Sequence, residues 1–272
     1  MSFARPPLGL IDSHCHVPWG DETRVKVIID KMKGSEAPFS MFVCGTGPAD
    51  WPFIHGLGIA YPDVFYPSFG IHPYWVAEHT QDQCNGAMEH LINMASQGIA
   101  VAECGLDYRP QYVVEGSRVR QQRMFIEQLK LANDLDKVPV VHSVRAHHDV
   151  LKLPKEHLSS NIPFVVHGFS KGQDVAEAYL QAGGYISIGP RLLDPRAVPL
   201  RQAVSSLSLS RLLIESDDVG MNELLAAENG AFPRTSERVL QEICALKGAD
   251  PAQCLKKMHD NICHIYQREW ES

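Results

Sequence analysis

Leu8-Gly9-Leu10-Ile11-Asp12-Ser13-His14-Cys15-His16 decides how the chain is read. A short apolar run stops at Asp12 and is followed by two histidines one residue apart. Apolar runs of this length bounded by polar residues read as buried strands. Residues i and i+2 of a strand point to one side, so His14 and His16 leave the strand end together. Neutral imidazole is a preferred ligand of zinc and related ions, so the pair suits a metal. Two unrelated loop histidines are the plain alternative. Cys15 should point away from its neighbours and reads as a small buried hydrophobe.

Beyond this strand, apolar runs alternate with helical periodicity. Strands are expected at 39–43, 65–71, 99–102, 138–141, 162–166, 185–188 and 212–214. Helices are expected at 21–33 (with Val25, Ile28, Ile29 and Met32 inward), 50–60, 81–97, 115–136, 146–153, 173–182, 196–206, 236–246 and 251–266. Strands separated by helices imply parallel pairing through right-handed crossovers. Eight such units in 272 residues match an α/β chain forming a single (β/α)8 TIM barrel. A doubly wound open sheet would carry a glycine-rich fingerprint after its first strand, where this chain has His-Cys-His. No repeat, low-complexity stretch or linker divides residues 1–272, which read as one domain.

Hydrophobic residues make up 44% and charged residues 21%, an ordinary globular balance able to bury a sizeable core. The net charge is -7 and the pI near 6.0. A protein that grips duplex along its length shows a basic surface, so that mode is disfavoured. A strand end held in a metal cleft is still allowed, because cations supply local positive charge. The seven cysteines are scattered singly, without a Cys-X-X-Cys pair. That argues against a disulfide framework and a thiolate zinc site, and points to a reducing, cytoplasmic location. The first residues lack a signal-like apolar core and no transmembrane run appears, so no membrane partner is expected. Nothing calls for an obligate protein partner.

Ligand-type side chains follow five of the expected strands: His14 and His16, Glu103, His142, His167 and Asp217. In a barrel these ends meet on the face where barrel enzymes keep their active sites. Six potential ligands exceed what one zinc needs. They suit two ions ~3.5–4 Å apart bridged by a carboxylate, which stabilises both oxygens of a phosphoester displacement.

The chain resembles the TatD family of metal-dependent deoxyribonucleases, within the amidohydrolase-like barrels, from about residue 8 to 267. The matching motifs are Ile11-Asp12-Ser13-His14-Cys15-His16, Gly70-Ile71-His72-Pro73, Ala102-Glu103-Cys104-Gly105-Leu106-Asp107-Tyr108, Val141-His142-Ser143, Val166-His167-Gly168-Phe169-Ser170, Glu215-Ser216-Asp217 and the late Asn261. The resemblance implies that His14, His16 and Asp217 hold one metal, that Glu103 bridges, and that His142 and His167 hold the second. It also implies that Asp217 takes the proton of the attacking water. Two cations lower the pKa of that water, and a nearby carboxylate is the acceptor it needs. Histidine ligands favour Zn²⁺ or Mn²⁺, while the family is often assayed with Mg²⁺.

His72 reads as a contact behind the ligands, a substrate-phosphate contact or simple packing. Three rim positions depart from the family. Val144 stands where arginine is usual, with Arg145 next; Asp218-Val219 replaces Ala-Pro; and Lys171 replaces glycine. Arg145, Lys171 and Arg191 are candidate phosphate contacts or solvated surface charges. The expected function is a deoxyribonuclease cutting phosphodiester bonds near DNA ends with a two-metal-activated water. Its partner would be a DNA end or a small phosphodiester. The alternative is an amidohydrolase-type enzyme acting on a small cyclic amide, ester or lactone. A non-enzymatic ligand-binding barrel is disfavoured by the complete ligand set.

Overall fold

Eight parallel strands close into a (β/α)8 barrel. A computed structural model describes residues 3–18, 20–33, 38–114, 116–217 and 235–271. Strands β1 (Leu10–Cys15), β2 (Phe39–Cys44) and β3 (Phe65–Ser68) pair in order, as do β4 (Ala100–Asp107), β5 (Val138–Val144), β6 (Phe164–Val166), β7 (Gly184–Ile188) and β8 (Leu212–Ile214). Bridges Phe69–Val101 and Cys15–Asp217 join the two sets and complete the circle. The strands are buried almost throughout, as parallel strands covered on both faces must be.

Helices α1 (Glu22–Lys33), α2 (Trp51–Ala60), α3 (Pro73–Glu78), α4 (Gln81–Ala95), α5 (Ser117–Leu135), α6 (His147–His157), α7 (Gln173–Gln181), α8 (Val198–Ser206), α9 (Thr235–Lys247) and α10 (Pro251–Ile265) surround the sheet. Val25 and Ile29 of α1 are buried; the side chains of Ile28 and Met32 lie outside the described residues, as do Glu115, Asp218 and Val219. Among the described residues no helix is long and apolar enough to cross a membrane. All seven cysteines are free and buried.

Three departures from the expected elements have local causes. β4 continues through Glu103 to Asp107 and β5 through His142 to Val144, so both residues stand within strands rather than after them. α3 begins where His72 accepts the Tyr74 N–H and Pro73 occupies the first turn, a start signal hidden in the Ile-His-Pro run. α6 runs past the expected end and through Pro154, which supplies no N–H to the helix.

At the opposite end from the strand tips, Phe3 bridges to Trp270. Phe42 stacks on Tyr66 at 4.9 Å and packs against Tyr266 at 5.1 Å between ring centres. Lys137, just before β5, donates to the Gly98 carbonyl and to Glu269, both at 2.6 Å. Asn261 on α10 donates to the carbonyls of Leu209 and Leu212 at 2.7 and 2.8 Å, so it ties the last helix to β8 rather than serving the mouth.

Candidate metal centre

Strand alternation aims the functional side chains. His14 lies in β1 and His16 follows it, Glu103 and Asp107 lie on β4, His142 on β5, His167 just past β6 and Asp217 shortly after β8. Gly105 makes the β4–β5 approach possible: its φ is +129°, and a Cβ there would stand 2.2 Å from the His142 carbonyl oxygen. Asp217 adopts φ +52°, a left-handed conformation uncommon for non-glycine residues though less so for aspartate.

Five imidazoles converge on Glu103, whose two oxygens face different partners. Oε2 lies 3.4 Å from His14 Nε2 and 3.2 Å from His16 Nε2. Oε1 lies 2.9 Å from His142 Nδ1, 2.7 Å from His167 Nε2 and 3.0 Å from His72 Nε2. Asp217 Oδ1 stands 3.8 Å from both His14 and His16 Nε2. The rings of His14 and His167 stack at 3.8 Å between centres, joining the halves.

The outer nitrogens fix the tautomers. A carbonyl only accepts, so His16 Nδ1 donates to the Cys44 oxygen at 2.9 Å, which leaves Nε2 facing Glu103. His142 Nε2 faces Asp107 at 2.9 Å, which leaves Nδ1 facing Glu103. Either a proton on each inner nitrogen or a cation between nitrogen and carboxylate satisfies this arrangement. The second nitrogen of a ligating imidazole is ordinarily held in this way by a carbonyl or carboxylate. His72 behaves differently: its Nδ1 accepts from Tyr74 N at 3.0 Å, so its Nε2 donates to Glu103. It therefore braces the carboxylate from behind.

Burial and charge act in opposition throughout. Burial, then the charge of His167, holds His14 down to about 4. Burial likewise pulls His72 down to about 4. Burial also resists a charge on His167, but Glu103, with Glu215 and Asp217, drives it up to about 10. Burial would raise Glu103, yet His167, His72 and His14 outweigh it and hold it well below the usual carboxylate range. Asp217 shows the same contest and is lowered, chiefly by His167 and His14. The cluster thus takes up positive charge at its centre, which a cation supplies as well as a proton. His14 Nδ1, His167 Nδ1 and Glu215 Oε2 are buried without a hydrogen-bond partner. Tight trios here include His14, His16 and Glu103, and His14, His167 and Asp217, with ligand atoms within 4.8 Å of one another.

Residues 11–267 match the family model described as TatD related DNase. The chain belongs to the TatD family of metal-dependent hydrolases. It is 30% identical over 268 residues to the uncharacterized metal-dependent hydrolase YjjV of Escherichia coli, covering 94% of this chain and 97% of that one. The crystal structure of the E. coli YjjV TatD homologue overlays with a TM-score of 0.76 at 26% identity, over 95% of this chain and 98% of that one. A relative named 3'-5' ssDNA/RNA exonuclease TatD, from Edwardsiella piscicida, is 30% identical over 65% of this chain and 66% of its own. Human deoxyribonuclease TATDN3 is 25% identical over 96% of each chain.

In this TatD barrel the rim cations stand apart from the centre. Arg145, Lys171 and Arg191 are exposed, and none lines the cleft above the cluster. Arg191 pairs with Asp194 at 3.0 Å. Cys15 is fully buried and its thiol faces the Phe42 carbonyl at 3.6 Å. Several residues without an assigned role in the sequence reading serve the site. Asp107 orients His142 and is itself clasped by Arg109 Nε and Nη2, the latter at 2.7 Å. Glu215, buried beside His167 at 3.9 Å, accepts the Gly168 N–H at 2.6 Å. Asp12 accepts the Ser216 N–H at 2.9 Å and joins β1 to the segment after β8. The signal for all three is the period of two: Asp12, His14 and His16, then Glu103 and Asp107, then Glu215 and Asp217.

Proposed function

We propose that the centre holds two divalent cations and hydrolyses a phosphodiester bond near the end of a DNA strand. The observation that carries this is the division of Glu103, each oxygen facing its own set of imidazoles, with Nε2 of His16 and Nδ1 of His142 turned inward. His14, His16, Asp217 and Glu103 Oε2 would hold one ion, and His142, His167 and Glu103 Oε1 the other. Imidazole and carboxylate donors suit Zn²⁺ or Mn²⁺. When bound, the cations would neutralise the phosphate oxygens and lower the pKa of water.

The protein's own groups do the rest. Asp217, ionised and 39% exposed at the mouth, accepts a proton from the attacking water. The water oxygen joins phosphorus, the phosphorus–ester oxygen bond breaks, and the departing alkoxide takes a proton from solvent, to which Asp217 returns the one it accepted. Asp107 and the Cys44 carbonyl hold the His142 and His16 rings in the tautomers that face inward. His72 keeps Glu103 ionised and oriented. Single, scattered, buried thiols support a reducing cytoplasmic setting.

Names of relatives carry the nuclease part of the reading: an ssDNA/RNA exonuclease and a deoxyribonuclease are among them. A second reading, hydrolysis of a small cyclic amide, ester or lactone, draws support from the lack of lysine or arginine among the described residues lining the cleft. The deciding experiment incubates purified, metal-loaded protein with end-labelled single-stranded DNA beside a panel of lactones and cyclic amides. Shortened DNA, abolished by chelator and restored by added Mn²⁺, Zn²⁺ or Mg²⁺, is the expected result. Turnover of a panel compound with DNA left intact would replace the nuclease reading, and chelator-resistant cleavage would remove the metal mechanism.

A further inference from the structure

The imidazoles around Glu103 differ in what stands behind them. The Cys44 carbonyl lies 2.9 Å from the outer nitrogen of His16, and Asp107 lies 2.9 Å from that of His142. Behind His167 stands Glu215. Its Oε1 is 3.9 Å from Nδ1, while Nε2 of the same ring lies 2.7 Å from Glu103. Among the described residues, Glu215 is the carboxylate that faces this outer nitrogen, which is buried without a hydrogen-bond partner.

Three strand tips fix the Glu215 carboxylate in that place. Glu215 directly follows β8 and is fully buried. Gly168, the residue after His167 at the end of β6, donates its N–H to Oε1 at 2.6 Å. Gly189, directly after β7, leaves the room: a Cβ there would stand 3.0 Å from Oε1 and 3.2 Å from Cγ. The carboxylate is therefore tied to the backbone next to His167 as well as facing its ring. A neutral imidazole can offer a lone pair from Nε2 only with its proton on Nδ1. A negative charge beside Nδ1 favours a proton there, and the more so where water is excluded.

We propose that Glu215 is a positioning residue for His167, its carboxylate keeping the ring proton on Nδ1 so that Nε2 is free to bind a cation. The inference rests on the two-cation reading above and deepens it. Both imidazoles on the Oε1 side of Glu103 are then backed by a carboxylate, whereas His16 on the Oε2 side is backed by a neutral carbonyl. A carboxylate behind a ligating ring raises its basicity. Removing the Glu215 charge therefore weakens the ion at His142 and His167 and spares the other.

The test uses full-length protein with ¹⁵N-labelled histidine rings, titrated with Zn²⁺ and followed by calorimetry and NMR. In the Zn²⁺-loaded parent, His167, assigned by the signals lost in His167→Asn, should show a protonated Nδ1 and a metal-bound Nε2. Glu215→Gln keeps the shape and loses the charge. One of its two Zn²⁺ affinities should fall roughly tenfold, the scale of a lost orienting partner, and the His167 Nδ1–H resonance should move while that of His16 stays in place. Gly189→Ala, at an extended backbone (φ -108°) that accepts a side chain, displaces the carboxylate instead of neutralising it. It should weaken the same ion even if the glutamine variant fails to fold. Unchanged affinities and His167 signals in both variants would overturn the role of Glu215 and leave the two-cation reading standing. Equal weakening of both ions, with the His16 signals moving as far as those of His167, would overturn it too, as a general loss of packing. A parent that binds no Zn²⁺ would overturn the two-cation reading and this role together.

Discussion

Lys137 before β5 and Glu103 within β4 are both buried charges in one barrel, and their surroundings treat them oppositely. Lys137 has a carboxylate and a carbonyl at 2.6 Å, so its charge is met by the protein alone. Glu103 is ringed by five imidazoles, while unpaired polar atoms of His14, His167 and Glu215 lie close by. Buried polar atoms in native proteins are nearly always paired, so the unpaired outer nitrogens of His14 and His167 set this end of the barrel apart from the fully paired Lys137. The floor of the barrel carries stability and the mouth carries chemistry, as the two faces of such barrels do.

The sharpest way to break the comparison is Glu103→Gln. Hydrolysis should fall on the order of a thousandfold, the scale of losing a principal electrostatic group, and metal content should drop below two ions per chain by elemental analysis. Two ions retained would remove the bridge. Asp217→Asn comes next, with turnover down roughly a hundredfold or more for loss of a general base while metal stays bound; near-normal turnover would reassign the base. Asp107→Asn acts one step back, weakening metal affinity roughly tenfold, as the loss of an orienting partner does. Titration calorimetry would detect it, and an unchanged affinity would mean that Asp107 does not hold His142.

At the floor, Lys137→Met strands Glu269 and should cost about 3 kcal/mol of stability in urea unfolding, with activity per folded molecule unchanged. A loss of activity without a loss of stability would collapse the division between the two ends. The smallest effect concerns His147, which shares hydrogen bonds with Ser143 and Tyr179 at 3.1 and 2.8 Å. Burial, then the charge of Lys171, holds it at about 4 instead of 6.5. The unfolded ring therefore gains its proton first as pH falls. Its contribution to stability is whole above pH 6.5 and drains away toward pH 4. His147→Gln should flatten the decline in urea midpoint between neutral and mildly acid pH; an equally steep decline would exclude His147 as its source.

The ligands could be read from the chain because strand alternation is local: His14 and His16 are one residue apart, and so are Glu215 and Asp217. Asp107 belongs to a matching motif, but its hold on His142 depends on the pairing of β4 with β5, which the sequence of β4 alone does not encode. Gly189 and Glu215 meet across different segments, and Lys137 and Glu269 are 132 positions apart, so no periodicity encodes either pair. Arg145, Lys171 and Arg191 suit a phosphate by charge alone, and charge says nothing about where a side chain ends up.

The bridge between Phe3 and Trp270 has a practical side. Both ends of the described chain emerge beneath the barrel, facing away from the catalytic opening. A surface linker, fluorescent reporter or purification handle attached at either terminus would leave the entrance clear, so immobilised protein should turn over substrate as freely as protein in solution.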